Sequence, residues 1–418
     1  MNRSITSAQL TFCIGVFFAA LLVLLTPPFQ SADEDSHFKR SVALSELKVL
    51  PKVRKGVLGH YLPRAVADFE AAHRFMKSDQ NAHYSWASYR HWLSDAEVNF
   101  ADRVFVPYHT ANSHPFLYLP QTLGIALGRL TGSNSPVVLL IAGRFVNLLF
   151  FWCCVFAAVR SAPAGKTALA LLSLMPMTLS LSASLSYDAV VNGVTLLLIA
   201  NLLRLAFDPE VKRVGWNQIA LITLLAVWQL ELKQVYYWVV LFWFLIPRSK
   251  FNSAMHCYGA FAIIVGAGLL QHLVWARLQP SGDFYPFTEH FHRQIRFILM
   301  EPFTYARIWI GSLCKGEMIH IQQFVGNLGW LDNPLPRGFV LAYSCALVAV
   351  ALGEVKSGLS SLWSRGWMLA VVGLMLLSTS TAIYVTWTAL PDIGGIGYPA
   401  VKDLQGRYLI PLAMTAVP

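Results

Sequence analysis

Residues 7–26 carry no charged side chain and are nearly all apolar, a run of about 20 residues, which is what an α-helix needs to cross a bilayer. Comparable runs recur at 137–159, 167–185, 189–207, 255–275, 338–352 and 366–390. Of 418 residues, 56% are apolar and only 13% are charged. A soluble domain could not hide that much apolar surface, so the chain reads as an all-α polytopic membrane protein. Arg3 precedes the first run and Pro27-Pro28-Phe29-Gln30 follows it without a small-residue cleavage pattern. That run is therefore expected to stay as an anchor. The net charge of +10 raises the class of nucleic-acid binders. The basic residues are spread over loops, however, and a membrane-orientation signal accounts for them without a nucleic-acid partner. The cysteines show neither C-x-x-C nor a cysteine/histidine ligand spacing, so no disulfide framework or structural zinc site is expected.

Between the apolar runs lie three polar regions, 28–114, 277–336 and 391–407. The first is long enough to hold structure of its own. Residues 36–50 have the apolar spacing of a helix lying along the interface, and 63–93 also read as helical. Residues 122–130 are apolar but too short to cross and suit a re-entrant or interfacial hairpin. Pro176 is expected to kink the 167–185 run. Residues 216–247 are too long for one crossing, with Glu231 and Lys233 near the middle; two short crossings solve this. The apolar run after Tyr408 has only about ten residues before Pro418, too few to cross, and reads as a truncated last helix.

With Arg3 inside, the short basic stretches at 160–166, 212–213, 248–250 and 356–365 also fall inside. The positive-inside rule is then obeyed at every short loop, over about ten crossings. The three long polar regions and the turns at Asp188 and Glu231 fall outside. The outer face thus collects Asp33, Glu34, Asp35, His37, His109, His114, Tyr118, Tyr187, Asp188, Glu231, Lys233, Asp332, Gln405 and Arg407. Singly, each has an ordinary explanation: Asp33 and its neighbours mark an interface, and Asp188 caps a helix. Arg144 and Asn147 sit within an apolar run, where polar groups line a cavity or pair inside the bundle. Together, carboxylates beside cations suit transfer of a group from a phosphate leaving group. A base takes the acceptor's proton, and Lys or Arg stabilises the departing phosphate. No phosphate loop, G-x-S-x-G or H-E-x-x-H is present.

Several short motifs stand in a characteristic order. They are Pro28-Phe29-Gln30 with Asp33-Glu34 and His37-Phe38, then His114-Pro115-Phe116-Leu117-Tyr118-Leu119-Pro120 with Gly124, then Gly143-Arg144-Phe145-Val146-Asn147. Pro176-Met177-Thr178 with Ser184-Leu185-Ser186-Tyr187-Asp188 follows. Gly326-Asn327-Leu328-Gly329-Trp330-Leu331-Asp332 and Gln405-Gly406-Arg407-Tyr408 complete the set. This series resembles the bacterial membrane-protein family called domain of unknown function 2142, over essentially the whole chain. It departs at Ser31-Ala32-Asp33, where a proline is expected before the Asp-Glu pair.

That family resembles in turn the integral-membrane C-type (GT-C) glycosyltransferases. The likeness implies a GT-C-like fold with a large helical first outer loop, in a bacterial inner membrane with a cytoplasmic N-terminus. It implies Asp33 or Glu34 as general base and Asp188 as a second acid. The donor would be a polyprenyl-phosphate-linked sugar and the acceptor a cell-envelope glycan or lipid. Some such enzymes hold a divalent metal, Mg or Mn, on these acids. Lys233 and Arg407 would bind the donor phosphate, with His37, His114, Tyr118, Arg144, Tyr187, Asp332 and Gln405 as further substrate-binding candidates. Two other readings compete. A transporter or flippase of lipid-linked saccharides would show repeats and midplane charges, whereas here the charges gather at one face. A non-catalytic scaffold of an envelope assembly complex predicts that the acidic cluster is dispensable.

Overall fold

The computed structural model describes residues 5–282, 287–315, 317–354 and 361–416; Arg3 and the first part of the basic 356–365 stretch lie outside them. From the N-terminus the elements are α1 (Ser7–Leu25), α2 (Glu34–Ser45), β1 (Lys52–Arg54), β2 (Val57–Pro63), α3 (Arg64–His73), α4 (Trp86–Arg90), β3 (Arg103–Pro107), α5 (Leu119–Leu130) and α6 (Pro136–Ser161). Then come α7 (Lys166–Leu174), α8 (Pro176–Ser182), α9 (Asp188–Phe207), α10 (Trp216–Leu232) and α11 (Ala254–Leu278). The last part holds α12 (Phe287–Met300), α13 (Pro302–Lys315), α14 (Glu317–Gly326), β4 (Asn327–Leu328), β5 (Asn333–Pro334), α15 (Arg337–Glu354), α16 (Leu362–Thr386) and α17 (Ile410–Ala416).

Six of these helices are long and apolar enough to cross a membrane: α1, α6, α9, α11, α15 and α16. Helix α6 is the hub, packing against α1, α5 and α9. Two glycines permit these crossings. A Cβ at Gly15 would overlap the Trp152 ring, and one at Gly124 would run into the Ala142 carbonyl and lie 2.7 Å from Gly143 Cα. As expected, Pro176 interrupts its run, which divides into α7 and α8.

The 216–247 stretch doubles back at Lys233. Helix α10 has 17 residues, and Gln234–Leu245 then forms a 3-10 helix of 12. At 1.5 Å per residue for the first and 2.0 Å for the second, the legs are about 26 and about 24 Å long. The tighter helix lets so short a segment match its partner. Both legs end near the close of α9. Lys250 Nζ donates to the carbonyls of Leu205 and Asp208 at 2.8 and 3.0 Å, and Val214 N donates to Lys250 O at 2.9 Å.

The first polar region differs most from expectation, because it is not purely helical. β1, β2 and β3 form an antiparallel sheet in that order, with Lys52 opposite Gly59 and Tyr61 opposite Phe105. Helix α2 does not lie along an interface: Ser36 to Leu44 are all buried. Its basic residues turn inward. Lys39 bridges Asp35 and Glu70, and Arg40 donates to the carbonyls of Val49 and Ser113. The 63–93 helix shortens to α3 and small pieces. Phe29, Phe38, Val42, Leu62, Val66 and Phe69 form the core of this region, continuous with Ile125 in the middle of α5 and Val137 at the start of α6.

Candidate functional site

The carboxylates of Asp33 and Glu34 point to different places. Asp33 is the residue before α2 and sits in the left-handed region, φ 62° and ψ 8°, with no side-chain capping bond. Glu34, the first residue of the helix, turns inward and is fully buried. Arg144 Nε donates to Glu34 Oε1 at 2.8 Å and Arg144 Nη2 to Oε2 at 2.6 Å; Leu185 N also donates to Oε1 at 3.0 Å. The same guanidinium donates to the carbonyls of Val23, Thr26 and Pro27. Glu34 and Arg144 thus tie the end of α1 to α6 and to the turn before α9. Both were candidates for chemistry or substrate binding, and neither has an atom to spare for a ligand. Asn147 supports the same turn through the carbonyls of Ser184 and Ser186.

Asp33 faces the other way, into a chain of charges. Arg407 Nη2 approaches Asp33 Oδ2 at 3.3 Å, and Arg407 Nη1 approaches Asp188 Oδ2 at 3.6 Å. Lys233 Nζ donates to Asp188 Oδ1 at 2.8 Å. His109 Nε2 stands 3.9 Å from Asp33 Oδ1. The four charged side chains alternate in sign and sum to zero. Along the series the side chains are 37% exposed at Asp33, 5% at Arg407, 10% at Asp188 and 19% at Lys233. Asp33 is therefore the member most open to solvent.

Each group is held by its element. Asp188 opens α9, where the helix dipole favours a carboxylate, but its side chain is spent on Lys233 and Arg407 rather than on capping. Lys233 occupies the break between α10 and the 3-10 helix. Arg407 follows Gly406, whose missing Cβ lets the turn press on α14; a Cβ there would overlap the His320 carbonyl and come within 2.5 Å of Phe324 N. Gln405 Oε1 accepts from Arg407 Nε at 2.6 Å and fixes the guanidinium plane.

Aromatic rings surround the cations. Lys233 Nζ lies 4.6 Å from the Tyr408 ring centre, 5.2 Å from Tyr187 and 5.9 Å from Tyr236, within cation–π range. Tyr236 OH donates to the Tyr408 carbonyl at 3.0 Å. Behind Tyr187, His37 packs at 4.8 Å between ring centres and shares a 3.0 Å hydrogen bond between Nδ1 and Tyr118 OH. Burial pulls the His37 imidazole down to about 4 even though Asp33 is nearby, so it is neutral at pH 7. Tyr236 was not foreseen; its signal was its place three residues after Lys233.

Three members of the expected outer-face set lie elsewhere. His114 Nδ1 accepts from Phe116 N, while Nε2 faces Gln271 at 3.3 Å and Glu231 at 3.9 Å. Glu231 thus looks toward His114 and His272, not toward Lys233. Asp332 closes its own turn, Oδ1 accepting from Trp330 N at 2.9 Å. The indole of Trp330 donates to Phe29 O at 3.0 Å.

Among the described residues no three His, Cys, Asp or Glu side chains converge as metal ligands. Asp33 and Asp188 are bridged by Arg407, and the guanidinium holds the space a shared divalent ion would need. As arranged, this donor set does not fit Mg or Mn.

No curated protein and no solved structure matches the chain. The family described as "Predicted membrane protein (DUF2142)" matches residues 16–416, and the chain belongs to that family.

Proposed function

We propose that this protein is a membrane glycosyltransferase with a GT-C-like arrangement of about ten crossings. It would work at the outer face of a bacterial inner membrane, with its N-terminus in the cytoplasm. It transfers a sugar from a polyprenyl-phosphate-linked donor to a cell-envelope glycan or lipid. The observation that carries this reading is the alternating series Asp33, Arg407, Asp188, Lys233, in which the carboxylate at the rim is solvent-accessible and both cations lie deeper. The folding back of residues 216–247 at Lys233 supports the two-crossing count for that stretch.

Arg407 and Lys233 supply a fork and a point charge for the donor phosphate. A phosphate arriving there competes with the carboxylates for the same donors and frees Asp33 Oδ2. Asp33 then takes the proton of the acceptor hydroxyl. The acceptor oxygen bonds to the anomeric carbon, and the bond from that carbon to the phosphate oxygen breaks. Polyprenyl phosphate leaves with the electron pair, its charge balanced by Arg407 and Lys233. Asp188 keeps both cations in place before the donor arrives.

The test is complementation of a deletion strain with glycan profiling, each variant checked for membrane abundance. Asp33→Asn is expected at normal levels with one sugar missing from a glycan. A wild-type profile from Asp33→Asn refutes the transferase.

A further inference from the structure

Asp33 and His109 also form one end of a cleft of about 590 Å³ in the first polar region, walled by the start of α2, by α3 and by β3. That volume lies within the range of small-molecule sites. Helix α3 lines it with the methyl groups of Ala67 and Ala71.

The charges on its walls limit what enters. Four carboxylates, Asp33, Asp35, Asp68 and Glu70, face three cations, Lys39, Arg74 and Lys77. Lys39, almost wholly buried, is committed to Asp35 at 3.1 Å and Glu70 at 3.4 Å, and Arg74 to Glu70 at 2.7 Å. Lys77 lies over the Trp330 ring at 3.8 Å. A uronate or phosphorylated group would meet a net negative wall and have to break existing ion pairs. A sugar hydroxyl both donates and accepts, which suits a wall where carboxylates and ammonium groups alternate.

We propose that this cleft is the acceptor site, and that it admits an uncharged, hydroxyl-bearing saccharide end from the aqueous side and presents one hydroxyl to Asp33. The inference rests on the transferase reading and adds the route and the chemical class of the acceptor.

The experiment uses the full chain in the deletion strain, with Ala71→Trp to fill the cleft and Ala72→Trp as a control. Ala72 is a neighbouring exposed residue of α3 that does not line the cleft. Acceptor accumulating in the Asp33→Asn strain is isolated, and its unextended end is identified by mass spectrometry. The expected result is a neutral sugar at that end, the same accumulating species with Ala71→Trp at normal membrane abundance, and a wild-type profile with Ala72→Trp. A wild-type profile with Ala71→Trp overturns the cleft as the route, and an anionic sugar at the unextended end overturns the charge argument; both leave the transferase standing. A wild-type profile with Asp33→Asn removes the transferase and this inference together.

Discussion

Replacing Glu34 by Gln should damage the protein in a way that the same change at Asp33 does not. Glu34 neutralises a guanidinium that is itself 1% exposed. The Gln amide would keep one acceptor for Arg144 Nε or Leu185 N and turn its NH2 group toward Arg144 Nη2, donor against donor. The remaining partners of Arg144 are the carbonyls of Val23, Thr26 and Pro27, which are dipoles and cannot cancel its charge. Breaking one side of a buried ion pair costs about 3–5 kcal/mol. Asp33, by contrast, is partly exposed and makes one 3.3 Å contact with Arg407; Asp33→Asn should change stability by less than about 1 kcal/mol. The assay is unfolding of the purified proteins in mixed micelles with rising SDS, alongside membrane abundance in cells. Glu34→Gln should unfold earlier and accumulate poorly, and Asp33→Asn should follow the wild type. If Glu34→Gln unfolds like the wild type yet loses the glycan product, the division of labour between the two neighbours is wrong.

Three further outcomes follow from the same geometry. Gly406→Ala should lower transfer about 100-fold at normal abundance, because a shift of the 405–408 turn of order 1 Å misplaces Arg407; donor-dependent product formation in membranes measures it. Lys233→Met should weaken use of the donor, read as a higher donor concentration for half-maximal rate, since Lys233 provides charge rather than a proton. In acid the first polar region should loosen. Burial lowers His37 and His114 to about 4 and His60 to about 3, all from 6.5. Their contribution is complete above pH 6.5 and is lost as pH falls toward 4, because the unfolded chain takes up the protons first; for His37 alone this is on the order of 3 kcal/mol. Limited proteolysis at pH 7.5 and pH 5 should show new cuts between residues 28 and 114 only at the lower pH.

The long apolar helices were legible because a bilayer demands about 20 apolar residues in a row, and Pro176 marked its own break. The sheet of the first polar region was not. β1 has three residues, and β2 pairs with a β3 some 40 positions away, a separation no local pattern reveals. The Lys55-Gly56 turn, with φ 51° and 80°, was the available hairpin signal. At the site, Asp33, Asp188, Lys233 and Arg407 could be grouped from the side of the membrane on which the charge pattern is expected to put them. The roles of Asp33 and Glu34 could not be separated, because adjacent residues at a helix start diverge by about 100°. Only the fold shows which of them meets Arg144. His114 and Asp332 looked like members by face alone; a membrane face is wide, and sidedness says nothing of lateral distance.

The backbone at Asp33 restricts which residues can stand there at all. With φ at 62°, the position suits Gly, Asn and Asp, while other side chains carry a penalty of about 1–2 kcal/mol. Asn and Gly keep the bend but have no base; Glu keeps a carboxylate but strains the bend and displaces the start of α2. Under the transferase reading Asp is thus the residue that satisfies both conditions, and Asp33→Glu, the exchange that looks mildest on paper, carries a backbone cost that Asp33→Asn does not. In a set of variants, failure of Glu to substitute for Asp at this position reports on the shape of the chain before it reports on chemistry.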